Sequence, residues 1–178
     1  MKHSLRILAL LTAVWAVDTL ASSSDNKSMW VSIAVPVIGG VYSYTLDDVE
    51  GLRELGLGCL LTAQITTLLK YSVHRTRPDG SDNYSFPSGH TSAAFLGASY
   101  LHHRYGLVWG IPMYGIASAI GLQRVNVKSH YWTDVIAGAA LGYTVAAFCT
   151  KQYPRAQITP IFDPANKTYG MQFTTSFG

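Results

Sequence analysis

Five stretches of the chain, residues 29–46, 55–69, 91–101, 105–123 and 135–150, contain no charged side chain. Runs of 11 to 19 residues outlast ordinary strands, which extend over about 4 to 8 residues, and fit helices. The connections 47–51 and 102–104 are short, so neighbouring helices should be antiparallel. Two or three of the runs approach the roughly 20 residues that span a bilayer. The run 91–101 does so only if its helix extends through 88–103. Asp, Glu, Lys and Arg make up 13% of the chain, against about 25% in an average soluble domain, and mean hydropathy is +0.17. Disorder, a charged coiled coil and a disulfide-built miniprotein are excluded. A chain of 178 residues makes one domain with its own core. The formal net charge is +3 without a basic run, so no nucleic-acid partner is expected. The expected fold is all-α, a membrane-embedded bundle of about five to six helices.

Both ends differ from this pattern. Lys2, His3 and Arg6 precede an apolar run at 7–17, and a polar segment follows at 22–27. That order predicts a secretory signal peptide over 1–21, or an uncleaved anchor. The helical domain then covers 22–150, and 151–178 is a tail. Pro154, Pro160 and Pro164 break helices there, and 169–177 reads as a short strand. Cys59 and Cys149 lie inside apolar runs and are expected as buried thiols.

Most charge away from the termini falls in two loops, 70–90 and 124–134. Cations at helix ends can simply anchor the helices. His90, His130 and Asp134 ask for more, because anchoring needs none of them. His130 and Asp134 are four apart and would share a face on a helix. Asp134 can accept a bond from one ring nitrogen and leave the other as nucleophile or proton acceptor. Ser88 before an apolar run reads as a helix N-cap. The free N–H groups behind it favour an anion, and Gly89 allows close backbone approach. His90 would then stand beside the anion as a proton donor. Lys70 and Arg77 supply positive charge, Arg77 with a planar fork suited to phosphate oxygens.

Lys70-x6-Arg77-Pro78, Pro87-Ser88-Gly89-His90 and Arg124-x5-His130-x3-Asp134 together resemble the three-part signature of the type 2 phosphatidic acid phosphatase superfamily. The context 84–93 and the run 132–138 are similar to its bacterial membrane lipid-phosphatase branch. Gln123 stands where the family usually has Ser.

The resemblance implies that His130 attacks phosphorus and forms a phosphohistidine, with Asp134 orienting it. It implies that His90 protonates the leaving oxygen. Lys70, Arg77 and Arg124, with Ser88 and the Gly89 N–H, would hold the phosphoryl oxygens. The implied enzyme is a phosphoric ester hydrolase that needs no metal and no cofactor. Its substrate would be a lipid phosphate or diphosphate in the bilayer, and its active site would lie at one end of the bundle, facing the periplasm from the bacterial inner membrane. Arg53, Arg104, Lys151 and Arg155 would then lie inside, in line with the positive-inside tendency. Alternatives are a soluble periplasmic acid phosphatase of broad specificity, a non-catalytic anion-binding membrane protein and a vanadate-dependent haloperoxidase. His74, Arg75 and Lys128 are additional polar residues near the motifs, each read either as a substrate contact or as solvated.

Overall fold

The computed structural model describes residues 25–153, 156–163 and 168–175. Five helices follow in order: α1 Asp25–Thr45, α2 Val49–Val73, α3 Gly89–Tyr105, α4 Leu107–Asn126 and α5 Trp132–Cys149. The expected helical bundle is present, while the expected leader at 1–21 lies outside the described residues. An antiparallel hairpin follows, β1 Ala156–Asp163 with β2 Thr168–Thr175, in register from Ala156↔Thr175 to Asp163↔Thr168. The first of these strands was not expected, because it contains Pro160. In a two-stranded sheet both strands are edges, where a missing N–H is tolerated.

The shortest apolar run turns out to be the centre of the bundle. Helix α3 is 17 residues long and packs against α1, α2, α4 and α5. Its small and hydroxyl side chains, Ser92, Ala94, Ala98 and Ser99, are buried. Wrapped by other helices, α3 needs no lipid-facing stripe, which is why its sequence is less apolar than its neighbours'.

Helix α5 meets α3 backbone to backbone. A Cβ on Gly138 would stand 2.6 Å from the Ser88 carbonyl oxygen, and one on Gly142 would overlap the Ser92 carbonyl. Two glycines four apart on one helix permit this approach, the small-residue packing favoured between helices in lipid. The approach sets the two helix N-termini side by side, where the Ser88 N–H donates to the Asp134 carbonyl at 3.0 Å.

The outer faces are apolar. Val108 is 84% exposed and Phe148 88%, with Val41, Leu60, Leu68, Ile111 and Ile136 also exposed. Such a surface suits lipid rather than water. Among the described residues, one helix, Trp132–Cys149, is long and apolar enough to cross a membrane, and Val31–Thr45 is a shorter apolar stretch. The 105–123 run becomes α4, whose last turn carries Arg124.

A buried ion pair closes the end remote from the motifs. Arg104 is 2% exposed and forks onto Asp48, with Nη2 donating to Oδ1 at 2.6 Å and Nε to Oδ2 at 2.8 Å. Asp48 caps α2 through the Gly51 N–H at 2.9 Å and accepts from the Tyr105 hydroxyl at 2.6 Å. Arg104 Nη1 reaches the Lys151 carbonyl at 2.9 Å. Burial pushes the Asp48 carboxyl up, but the bonds from Arg104, Tyr105 and Gly51 outweigh it and hold it below the usual range. Arg104 is therefore an internal tie at this end of the bundle.

Gly142→Val should destabilise the bundle by roughly 1–3 kcal/mol, the usual cost of overpacking. Gly115→Ala is the control, since nothing lies within 4 Å of a Cβ there. Thermal unfolding in detergent measures both, and a Gly142→Val variant as stable as the control would show that α3 and α5 part easily.

Candidate active site

The three motifs meet at one end of the bundle. Helix α2 runs past Lys70 to Val73 and stops where His74 takes a left-handed conformation, φ 49°. The loop that follows is tied to itself. Arg77 N–H donates to the Asp82 carbonyl at 2.9 Å, and Arg77 Nε to the Asp82 carboxylate at 2.7 Å. Burial pushes the Asp82 carboxyl up, but the Arg77 bond and the Tyr84 N–H together hold it below the ordinary range. Lys70 Nζ donates to the Tyr84 carbonyl. Helix α3 then starts with Ser88 as N-cap, its Oγ accepting from the Thr91 N–H at 3.4 Å and lying 2.9 Å from the Thr91 hydroxyl. The Ser88 side chain thus serves the helix start. Gly89 and His90 are the residues of this motif that face the cavity.

That cavity has a volume of about 280 Å³ and is lined by Lys70, Arg77, Gly89, Ala93, His90 and His130, with Ser32 and Ile33 of α1. Arg124 is 3% exposed and lies outside this lining, close enough for its charge to act on His130. Its carbonyl accepts from the Ser129 and His130 N–H groups at 3.1 and 3.2 Å, which turns the chain from α4 into the site.

His130 lies before α5, whose first residue is Trp132 and whose N-cap is Tyr131. The expected shared helical face is therefore absent. His130 Nδ1 is 2.7 Å from the Ser85 carbonyl oxygen, while the nearer Asp134 oxygen is 3.8 Å away. A carbonyl only accepts, so Nδ1 carries the proton and Nε2 keeps its lone pair. Asp134, fully buried, is occupied elsewhere: Arg75 Nη1 donates to Oδ1 at 2.7 Å, and the Ser85 hydroxyl and the Tyr131 N–H donate to Oδ2. Asp134 thus reaches the ring through Ser85 and not by a direct bond. Burial, and then the charges of Lys70, Arg77 and Arg124, hold the His130 ring down to about 3. The ring is neutral at any ordinary pH.

Sequence reading missed Ser85, Ser32 and the part taken by Arg75. Ser85 is fully buried and bonds to both His130 and Asp134. Only its place beside Phe86-Pro87 hinted at it. Among the described residues, no three His, Cys, Asp or Glu side chains converge as a metal site would require.

A second hollow of about 380 Å³ continues from the cavity and shares Ile33, Gly89 and Ala93 with it. Pro36 of α1, Cys59 and Ala63 of α2 and Leu96 of α3 also line it.

The folded ring refuses a proton that the unfolded ring accepts below about 6.5. Stability should therefore fall as pH drops from 6.5 towards 3, by up to about 1.4 kcal/mol per unit from this group. Removing the group in His130→Gln should flatten the decline of the melting temperature between pH 6.5 and pH 4. Parallel declines in parent and variant would show that the folded ring takes the proton.

A family model described as the PAP2 superfamily matches residues 51–158. The chain is 39% identical over 163 residues to a lipid A 1-phosphatase of Porphyromonas gingivalis, covering 82% of this chain and 37% of that one. It is 30% identical to a lipid phosphate phosphatase 2 of Arabidopsis thaliana, covering 70% of this chain and 58% of that one. The chain thus spans roughly a third to three fifths of these two relatives. The crystal structure of LpxE from Aquifex aeolicus has the same fold, with a TM-score of 0.56 at 20% identity, covering 76% of this chain and 93% of that one.

Proposed function

The chain belongs to the PAP2 superfamily, and on that footing we propose that it hydrolyses a phosphate ester or diphosphate of a membrane lipid. The observation that carries this reading is His130, a buried neutral imidazole on a cation-walled cavity, with Nδ1 tied to a carbonyl. Its Nε2 attacks phosphorus in line with the leaving oxygen and forms a phosphohistidine. Lys70, Arg77, Arg124 and the Gly89 N–H hold the phosphoryl oxygens as charge shifts in the transition state. His90, on the same cavity wall, protonates the leaving oxygen and then activates the water that releases phosphate.

The adjoining hollow supports a lipid over a soluble ester. It begins at the phosphate site and passes between helices whose outer faces are apolar, which suits acyl chains. The names of the relatives make lipid A and other lipid phosphates the first substrates to test. Purified protein in mixed micelles should release phosphate from a lipid phosphate at least about tenfold faster than from an aryl phosphate, the equivalent of 1.4 kcal/mol of tail binding. His130→Ala should lose several orders of magnitude in rate, and labelled phosphate should be trapped on a histidine of the parent. Near-parent turnover by His130→Ala would overturn the reading.

The proposed location is the bacterial inner membrane with the active end facing the periplasm. The basic start, apolar run and polar segment of the leader support entry by the secretory route. Helix α1 then crosses inward from the cavity end, where Ser32 lies, to the Asp48 end. Ser81 is exposed in the active-end loop. In a variant lacking Cys59 and Cys149, Ser81→Cys should react with an impermeant thiol reagent added to intact spheroplasts. Protection until the membrane is broken would reverse the orientation.

A further inference from the structure

Arg75 does not line the cavity, yet it touches both Asp134 and Ser85 beside His130. Its Nη1 donates to Asp134 Oδ1 at 2.7 Å and to the Thr133 hydroxyl at 2.6 Å. Its guanidinium lies 4.1 Å from the centre of the Tyr131 ring. Its carbonyl accepts from the Ser85 N–H at 2.9 Å, and the Ser85 carbonyl in turn accepts from His130 Nδ1. One residue thus holds Asp134 by its side chain and, by its main chain, the Ser85 to which the ring is bonded.

The charges around the ring show what this fixing accomplishes. Lys70 on α2, Arg77 on the following loop and Arg124 at the end of α4 act on His130 and disfavour its protonated form. His90 on α3 faces the same cavity. Asp134 on α5, 3.8 Å away, is the acid that would favour the protonated form. A carboxylate pulled onto Nδ1 would replace the Ser85 carbonyl and turn the ring. Asp134 cannot approach, because Arg75 holds one oxygen while Ser85 and Tyr131 hold the other.

We infer that Arg75 is a positioning residue of the reaction, holding Asp134 by its side chain and Ser85 by its main chain so that the His130 ring stays aimed by the Ser85 carbonyl. The inference rests on the reading of His130 as the attacking group. Arg75 lies outside the cavity lining, so its loss should act on the rate of the step and not on substrate binding. Planarity matters as well as charge, because the guanidinium contacts Asp134, Thr133 and the Tyr131 ring together.

The test compares parent, Arg75→Gln and Arg75→Lys as full chains in detergent micelles. Imidazole resonances are followed from pH 7 to pH 4, with His130 assigned by its disappearance in His130→Gln. In the parent the His130 signals should stay flat. In Arg75→Gln the ring should titrate within this range, an upward shift of about two units or more for a buried ring facing an unclamped carboxylate. Arg75→Lys keeps the charge and should restore most of the flat behaviour. On a lipid phosphate, kcat should fall at least tenfold in Arg75→Gln and less in Arg75→Lys, with KM within about twofold of the parent, the pattern of an interaction made mainly in the transition state. If Arg75→Gln does not fold, Arg75→Lys carries the test, since a parent kcat in that variant would overturn the need for the planar fork. Flat His130 signals in a folded Arg75→Gln would overturn the clamp. A His130→Ala protein that still turns over would defeat the functional reading instead, and the titration would still decide whether Arg75 restrains Asp134.

Discussion

Everything at the active end depends on how closely α5 can approach α3. Gly138 and Gly142 remove the side chains that would hold the helices apart. The N-terminus of α5 then falls beside that of α3, and the Ser88 N–H bonds across to the Asp134 carbonyl. Two helix N-termini pointing the same way concentrate free N–H groups and positive dipole ends in one place. The remaining parts of the site, the 74–88 loop and the turn after α4, are draped around that junction. A phosphoryl group needs such a surround fixed in advance, because its transfer asks for positioning and positive charge more than for covalent chemistry by the protein.

The motif residues were legible because each carries its chemistry in its type: three cations, two imidazoles, a glycine at a helix start. What joins them was not. Asp134 meets Arg75 and Ser85 across 59 and 49 residues of chain, and no local pattern encodes those pairings. The spacing of His130 and Asp134 suggested a helical face, yet the chain turns into α5 only after Tyr131, so the four-residue interval spans a cap. Ser88 could be read both as cap and as phosphate ligand, and the structure turns its hydroxyl to the cap. The five helices were visible as charge-free runs. The central place of α3 was not, because small buried residues look the same in sequence whether they face lipid or other helices. Likewise β1 was hidden by Pro160, which is tolerated because the hairpin consists of edges alone.

The neutral state of His130 follows from a conflict that the site resolves in favour of the ligand. Cations that bind phosphate also repel a proton from any base nearby. A histidine among them stays a free base, which is what a nucleophile requires. An unrestrained carboxylate against the ring would favour the imidazolium, and here the carboxylate is held by three donors. The proposed chemistry asks for positive charge towards the phosphate and neutrality of the ring, and one set of residues serves both.

The two ends of α3 handle charge in opposite ways. At its C-terminus Arg104 is matched by Asp48, the N-cap of α2, so each charge also sits at the helix end that favours it. Arg104 also reaches Glu54 at 3.3 Å, so its charge is answered within the protein and offers nothing to a ligand, and the network ties the ends of α1, α2 and α3 together. At the other end the segments 70–90 and 124–134 carry five cations, Lys70, Arg75, Arg77, Arg124 and Lys128, against three acids, Asp79, Asp82 and Asp134, a surplus of two positive charges in those segments. Left alone, such a surplus beside lipid would be costly. A phosphate monoester carries about two negative charges near neutral pH, so an anion of that kind would balance the surplus. Because Lys70 and Arg77 line the cavity, their charge answers to an anion held there more than to the side of the membrane they occupy.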